Sequence, residues 1–274
     1  MTEPVRIVTL YSGSGGNCTY IKFLDTAILI DAGKSARTLC NSLREIGSDI
    51  GEIDAIFITH DHHDHVSALE VLAKKNNVPI HMTERSAVIF DRDPAAPIHS
   101  RLIRHDPLFS VEVGRFTVTS FCTPHDSRMS VGYRIAFSFE GEEYAVGLAT
   151  DIGYVSEEIR EGLRGCLAVV LESNHDEMML MEGPYPYDLK KRIRSRRGHL
   201  SNRESASFAA ELAQTGTRAF LLAHLSEENN EPELALDEAQ SALSGLGCTV
   251  LVATPDLPME LSLPLGKEMS YVCS

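Results

Sequence analysis

Thr59-His60-Asp61-His62-His63-Asp64-His65 packs four histidines and two aspartates into seven positions. The apolar run just before it, residues 53–58, reads as a buried strand. Just after it, Ser67-Ala68-Leu69-Glu70-Val71-Leu72-Ala73-Lys74-Lys75 sets apolar side chains at helical spacing. The cluster therefore occupies the turn between a strand end and a helix start, the edge where α/β folds gather ligands. His60 and His62 are two apart and point the same way along an extended segment. Asp64 and His65 follow as a second pair at the helix start. Two ligand pairs so close together predict two metal ions rather than one, and imidazole with carboxylate suits zinc, manganese or iron. A solvated polar loop, the bland alternative, has no reason to be so rich in histidine.

Outward from the cluster, 274 residues suffice for one large domain or two small ones, and 43% hydrophobic residues for a core. No linker or composition break divides the chain, so residues 1–274 are expected to form a single domain. No apolar run reaches the length of a membrane span, and Met1-Thr2-Glu3-Pro4-Val5-Arg6 lacks the layout of a signal peptide. Cys18, Cys40, Cys122, Cys166, Cys248 and Cys273 are scattered, mostly in apolar runs, as buried thiols would be. A cytoplasmic setting without membrane contact is expected.

The net charge of −14 argues against general affinity for nucleic acid. A local site survives that argument, because two bound dications reverse the sign around them. One segment runs against the trend: Lys190, Lys191, Arg192, Arg194, Arg196, Arg197 and Arg203 are 7 of the 25 basic residues. A solvated helix face and a phosphate-binding surface explain that run equally well, and it leads directly into Gly198-His199.

Along the chain, residues 5–10 read as a first strand, and Ser12-Gly13-Ser14-Gly15-Gly16-Asn17 is too glycine-rich for helix or strand. It lacks the Lys-Ser/Thr ending of a P-loop, so a tight turn facing the metal edge is preferred to a phosphate cradle. Strands at 18–23 and 27–30 close on Asp31, which either orients a ligand histidine or caps a helix. A helix at 35–46, a strand at 78–82 and a proline-containing loop at 91–108 follow, with His81, His99 and His105 as ordinary histidines. Two short strands at 111–121 lead to His125, and a hairpin of strands 131–139 and 143–149 leads to Asp151. An aspartate ending a buried strand is costly unless paired, and its two oxygens can bridge two dications. A strand at 166–171 ends in Glu172-Ser173-Asn174-His175-Asp176, where His175 meets substrate or makes a structural hydrogen bond. Ser201 and Glu204 form a capping box for a helix at 202–214, which holds His199 just ahead of its N-terminus. A strand at 218–223 ends at His224, followed by a helix at 232–243, a strand at 248–252 and an edge strand in the tail from Pro255. Hairpins first and then strand–helix alternation, repeated once, predict a sandwich of two mixed sheets with helices outside.

The cluster matches H-x-H-x-D-H, the metal signature of the metallo-β-lactamase superfamily. Together with Ser12-Gly13-Ser14-Gly15-Gly16-Asn17, Thr150-Asp151-Ile152-Gly153-Tyr154-Val155, Glu172-Ser173-Asn174-His175-Asp176, Arg197-Gly198-His199-Leu200-Ser201-Asn202 and Leu222-Ala223-His224-Leu225-Ser226, it resembles the YycJ (WalJ) family of bacterial proteins. The resemblance implies an α/β fold, a four-layer αββα sandwich of two mixed sheets. It also implies a metal-dependent phosphodiesterase: a 5′-to-3′ exonuclease on double-stranded DNA linked to mismatch repair, using a hydroxide bridged between two metal ions. RNase Z and the cyclic phosphodiesterase of phosphonate degradation are kin of that family. Carried over by position, His60, His62 and His125 would hold one metal and Asp64, His65 and His224 the other, with Asp151 bridging. His199 would be the general acid beside Asp64 and Asp151; Asn174, His175, Arg194, Arg196, Arg197 and Ser201 are expected to meet substrate. His63 departs from the family, which has a small polar residue there, and would cap the helix or touch a metal. DNA is the expected partner, with RNA the alternative, and a homo-oligomer stays open. Two other readings compete: a small-molecule hydrolase of a cyclic phosphodiester, lactone or thioester, and a metal-bound regulatory protein tied to cell-wall signalling. The complete ligand set argues against the last, and the basic run beside His199 favours the nuclease over the small-molecule enzyme.

Overall fold

The computed structural model of the chain describes residues 4–266, so Cys273 and residues 1–3, part of the leader reading, lie outside it. Three antiparallel strands open the chain: β1 (Val5–Tyr11), β2 (Cys18–Phe23) and β3 (Thr26–Ile30). Helix α1 (Ala36–Glu45), capped by the Ser35 hydroxyl, leads to β4 (Ala55–Phe57), which lies parallel to β3. The histidine cluster follows as α2 (His63–Val66), then α3 (Leu69–Lys75), β5 (Ile80–Thr83), α4 (Glu84–Ala87) and β6 (Leu102–His105), with β4, β5 and β6 all parallel.

The second sheet repeats the plan. Strands β7 (Ser110–Val113), β8 (Phe116–Cys122), β9 (Val131–Phe139) and β10 (Glu142–Ala149) are antiparallel. After α5 (Glu157–Leu163), β11 (Ala168–Glu172) runs parallel to β10. Helices α6 (Glu177–Glu182), α7 (Tyr187–Ile193) and α8 (Asn202–Gln214) precede β12 (Ala219–Ala223), and α9 (Pro232–Ala242) precedes β13 (Thr249–Val252). Strand β14 (Met259–Leu263) then crosses back to pair with β1. The sheets are ordered β14-β1-β2-β3-β4-β5-β6 and β13-β12-β11-β10-β9-β8-β7.

Strand parity decides what each residue buries against. Val5, Ile7, Ile21 and Phe23 meet Phe116, Tyr133, Phe137 and Leu148 between the sheets. Their neighbours Val8, Leu10 and Tyr20 pack outward against Leu39 and Leu43 of α1 and Leu69 and Leu72 of α3. On the far side, Val169 and Phe220 pack against Ile159 and Leu163 of α5 and Phe208 and Leu212 of α8. The result is the four-layer αββα sandwich of two mixed seven-stranded sheets. Each fully buried leucine, isoleucine or phenylalanine in these layers stabilises the fold by about 1.5–3 kcal/mol.

Several elements differ from the sequence reading. The stretch 91–108 holds a 3₁₀ turn, Pro97–Ser100, and the edge strand β6, which forms because β5 offers it a backbone ladder rather than because it is apolar. Helices α4, α5 and α6 are short and carry no long amphipathic repeat, so periodicity does not reveal them. Helix begins at His63, which puts Asp64 and His65 in its first turn, as their expected place at the helix start requires, but makes this turn a separate short helix from α3. Of the described cysteines only Cys18 and Cys166 are buried; Cys40 lies on a half-exposed flank of α1, and Cys122 and Cys248 sit at or beside strand ends. Among the described residues no helix is long and apolar enough to cross a membrane.

Candidate metal centre

One edge of the sandwich collects the chemistry. Asp31 follows β3, His60 follows β4, His125 follows β8, Asp151 follows β10, Glu172 ends β11 and His224 follows β12. Ligand atoms of His60, His62 and His125 lie within 4.8 Å of one another, as do those of Asp64, His65 and His224. Asp151 stands between the two triplets: Oδ2 is 3.4 Å from His65 Nε2, and Oδ1 is 3.5 Å from His125 Nε2 and 3.6 Å from His224 Nε2.

The second nitrogens explain how the rings are aimed. His65 Nδ1 donates to Asp31 Oδ2 at 2.8 Å, so Asp31 does orient a cluster histidine. His125 Nδ1 donates to the Gly198 carbonyl at 3.2 Å and His224 Nδ1 to Glu172 Oε1 at 3.0 Å. His60 Nδ1 lies 3.0 Å from the Thr59 hydroxyl, which itself donates to Asp31. Each contact fixes a tautomer and leaves Nε2 facing the centre. His62 instead presents Nδ1, 3.4 Å from His125 Nε2.

The residues fit a pair of cations. His60 Nε2, Asp151 Oδ2 and His224 Nε2 are buried and have no hydrogen-bond partner among the described residues. Three unpaired polar atoms in one buried site would each cost about 1–3 kcal/mol unless something of opposite character meets them. Electrostatics agree. Burial works against ionising Asp151, yet the surrounding histidines hold its carboxyl well below the usual range. Burial likewise opposes charge on Glu172, but His199 and His224 bring it down to about 2. His224 is pushed up to about 10, because Asp151, Asp64 and Glu172 outweigh its burial. Burial, with His65 next, lowers His60. A knot of carboxylates thus demands positive charge, which protons or dications can supply.

Backbone and turn geometry are spent on this edge. Asp31, Asp151 and His224 adopt left-handed conformations, φ 65°, 57° and 58°. Such strain costs about 1–3 kcal/mol per residue and persists only where surrounding contacts impose it. The Ser12–Asn17 turn faces the centre, as expected: Ser12 Oγ accepts from the His224 backbone at 2.8 Å, and Asn17 Nδ2 lies 3.3 Å from Asp64 Oδ2 and 3.2 Å from His65 Nε2. At Gly33 an added Cβ would lie 1.6 Å from the Asp64 carbonyl, so no side chain can stand where this loop meets α2.

His199, half-buried, places Nδ1 2.8 Å from Glu172 Oε1 and lines a cavity of about 200 Å³ with His224, Asn174, Arg192 and Tyr185. Of the residues expected to meet substrate, Asn174 is in that wall, but its amide donates to the His224 carbonyl at 2.8 Å. His175 is buried away from the cavity, its backbone bridged to Ser201. Ser201 is spent on the capping box of α8, as its spacing to Glu204 predicts. Arg194 lies against Met181 Sδ, Arg196 stacks 4.1 Å over the Tyr154 ring, and Arg197 donates to the His125 carbonyl at 3.1 Å. Consecutive residues of the turn after α7 diverge, so these three are not brought to the cavity. Arg192, one turn earlier, is, in an ion pair with Asp126. His63 is exposed and, among the described residues, belongs to none of the ligand groups.

Three residues of the site were not singled out in the sequence reading, which named Glu172, Arg192 and Asn17 only as members of longer segments. Glu172 had a signal, an acid ending an all-buried strand, the same that singles out Asp151. Arg192 had a weaker one, its helical spacing from Leu189. Asn17 had only its place beside glycines.

Residues 26–225 match the family model of the β-lactamase superfamily domain. The chain is 33% identical over 247 residues to an exodeoxyribonuclease YycJ of Bacillus anthracis, covering 87% of this chain and 89% of that protein. It is 33% identical over 230 residues to an exodeoxyribonuclease WalJ of Streptococcus pneumoniae, covering 82% and 83%. The metallo-β-lactamase fold protein YhfI from Bacillus subtilis superposes with a TM-score of 0.71 at 19% identity, over 94% of this chain and 100% of that one, a likeness of fold.

Proposed function

The chain belongs to the metallo-β-lactamase superfamily and, within it, to the YycJ/WalJ family, and from that membership we propose that it is a binuclear metal-dependent phosphodiesterase acting on DNA. In this reading it is a cytoplasmic 5′-to-3′ exonuclease on double strands with a role in mismatch repair, and residues 1–274 act as one domain. The observation that carries the reading is two ligand triplets meeting at Asp151, one of which reaches, through His224, a cavity also lined by His199 and Arg192.

His60, His62 and His125 would hold one ion, Asp64, His65 and His224 the other, and Asp151 both; zinc, manganese and iron all suit these donors. When bound, such ions lower the pKa of water towards neutrality and offset charge developing on a phosphoryl oxygen. The rest of the reaction falls to the chain. A phosphodiester expels an alkoxide, which gains from a proton in the transition state. His199 is free of the two triplets, and with Nδ1 tied to Glu172 its Nε2 is the nitrogen available to deliver that proton. Glu172 keeps the ring from turning and, through His224, holds donor and ligand in one frame. Arg192 offers a planar fork to a phosphate, exchanging Asp126 for the substrate. Asn174 keeps the His224 backbone in place.

The test is a panel of end-labelled duplexes, single strands and RNA assayed with Mn²⁺, Zn²⁺ and Mg²⁺. Stepwise shortening of duplex DNA from its 5′ end is expected. Inactivity on every nucleic acid, with turnover of a lactone or thioester, would sink the proposal.

A further inference from the structure

The cavity has a second wall, of which the chemistry above uses Arg192 alone. Gly183-Pro184-Tyr185-Pro186-Tyr187 links α6 to α7. Prolines on both sides of Tyr185 restrict the backbone there. Lys190 Nζ donates to the Met181 and Gly183 carbonyls, each at 2.7 Å, and ties the link to α7. The aromatic ring is thus presented from a braced turn. Tyr185, Leu189, Arg192 and Ile193 all line the cavity, the last three at helical spacing on one face of α7. Asn174, His199 and His224 also line it. Among the described residues the Tyr185 hydroxyl makes no hydrogen bond, and the ring is half-buried.

One wall therefore offers an aromatic face, two aliphatic side chains and a guanidinium. That is the chemistry of a nucleotide: a flat base that stacks on an aromatic ring, and a phosphate that takes an arginine fork. A lactone or thioester would use neither in this combination. Size adds a constraint. Of the seven candidate ligands only His224, 4% exposed, lines this cavity, beside His199, so a reacting phosphorus must come down to that recessed wall. About 200 Å³ lies below the range of roughly 300–1,000 Å³ that drug-sized ligands occupy, and suits one base rather than a base pair. Enzymes that need a nucleotide in a recessed site draw it out of the stack and replace its lost neighbours with side chains.

We propose that Tyr185 is a stacking platform for the base of the terminal nucleotide, drawn out of the duplex and unpaired as its phosphodiester reaches the metal centre. The proposal rests on the phosphodiesterase reading and adds a specificity residue to it. The test uses the metal-loaded full chain on two blunt duplexes, identical except that one carries an abasic residue at the attacked end. On the normal duplex Tyr185→Leu should lower kcat/KM roughly ten- to a hundred-fold, the worth of one stacked base. Tyr185→Phe, which keeps the ring, should stay within about twofold of wild type. On the abasic duplex wild type should lose a comparable factor and should equal Tyr185→Leu. Equal losses for Tyr185→Leu on both duplexes, no loss on either, or a Tyr185→Phe as weak as Tyr185→Leu would each overturn the platform. If wild type cuts no nucleic acid yet hydrolyses a nitrophenyl phosphodiester, the DNA reading itself fails and the platform goes with it.

Discussion

At Glu172 one carboxylate answers four donors. Oε1 accepts from His199 Nδ1 at 2.8 Å and His224 Nδ1 at 3.0 Å; Oε2 accepts from the Ile152 and Leu200 backbones at 2.8 and 3.1 Å. With no exposure to solvent, it can bear charge only because all four are in place. This arrangement makes the role of His199 testable. His199→Ala should lower kcat on DNA roughly 10²–10⁴-fold, the usual worth of a general acid, with metal content intact. A substrate with a nitrophenolate leaving group needs less protonation and should lose much less. Equal losses on the two substrates would remove His199 from the acid role. Loss of metal would make it a ligand, since its ring also stands within 4.8 Å of Asp151, Glu172 and His224 ligand atoms.

At the scale of elements, α7 and the turn after it divide the basic run into different tasks. Arg192 is on the cavity face, whereas Arg196 and Arg197 brace neighbouring loops and Arg194 leans on Met181. Arg192→Gln should raise KM for DNA several-fold and flatten the salt dependence of binding by about one counterion, while Arg194→Gln should do neither. Salt titrations of binding by the two variants separate this from a solvated basic face, for which they would behave alike. Strands β4, β5 and β6 make a different prediction. His81 stacks on Phe57 and His105, with ring centroids 4.6 and 5.2 Å apart, and its Nδ1 lies 2.9 Å from His105 Nε2. Burial, followed by His105, brings His81 down to about 4. Unfolded, it titrates near 6.5, so as the pH falls the unfolded chain takes the proton first. Its contribution is therefore full above about pH 6.5 and is lost as pH falls towards about 4, on the order of 1–2 kcal/mol after allowing for partial solvent access. Urea unfolding at pH 7 and pH 4.5 should show a smaller acid loss for His81→Phe than for wild type; equal losses would place the acid sensitivity elsewhere.

Across the whole molecule, the centre joins two halves that the chain builds separately. His60, His62, Asp64 and His65 come from the first sheet and its loops; His125, Asp151 and His224 come from the second. Ions bound by both halves should therefore act as a clamp. A ligand that binds only the folded state at a thousand times its Kd stabilises by about 4 kcal/mol, roughly 10 °C in Tm for a chain of this size. Chelation should lower Tm by that order. Metal analysis under saturating Zn²⁺ or Mn²⁺ should approach two equivalents, and Asp151→Ala should lose both metal and activity. Full activity with one tightly held equivalent would refute a binuclear site.

Much of this was legible in residue order. His60, His62, Asp64 and His65 announce a site because ligand chemistry and spacing both lie within one short stretch, and hairpins followed by strand–helix alternation, repeated once, make the sandwich readable from element order. Asp151 was legible because a carboxylate cannot end a buried strand unpaired. Glu172 carries that same signal, but the two rings that share it, His199 and His224, stand 27 and 52 positions away, and only packing brings them to it. The basic run shows the opposite limit. Its charges were plain in sequence, yet which guanidinium reaches the cavity depends on where α7 ends and its residues fan out. So too with the left-handed backbone at Asp31, Asp151 and His224, which local preference opposes and surrounding contacts impose. Side-chain chemistry and periodicity are local properties, written in the order of residues. Distance, direction and strain are set by how distant segments pack, and the tertiary structure alone decides them.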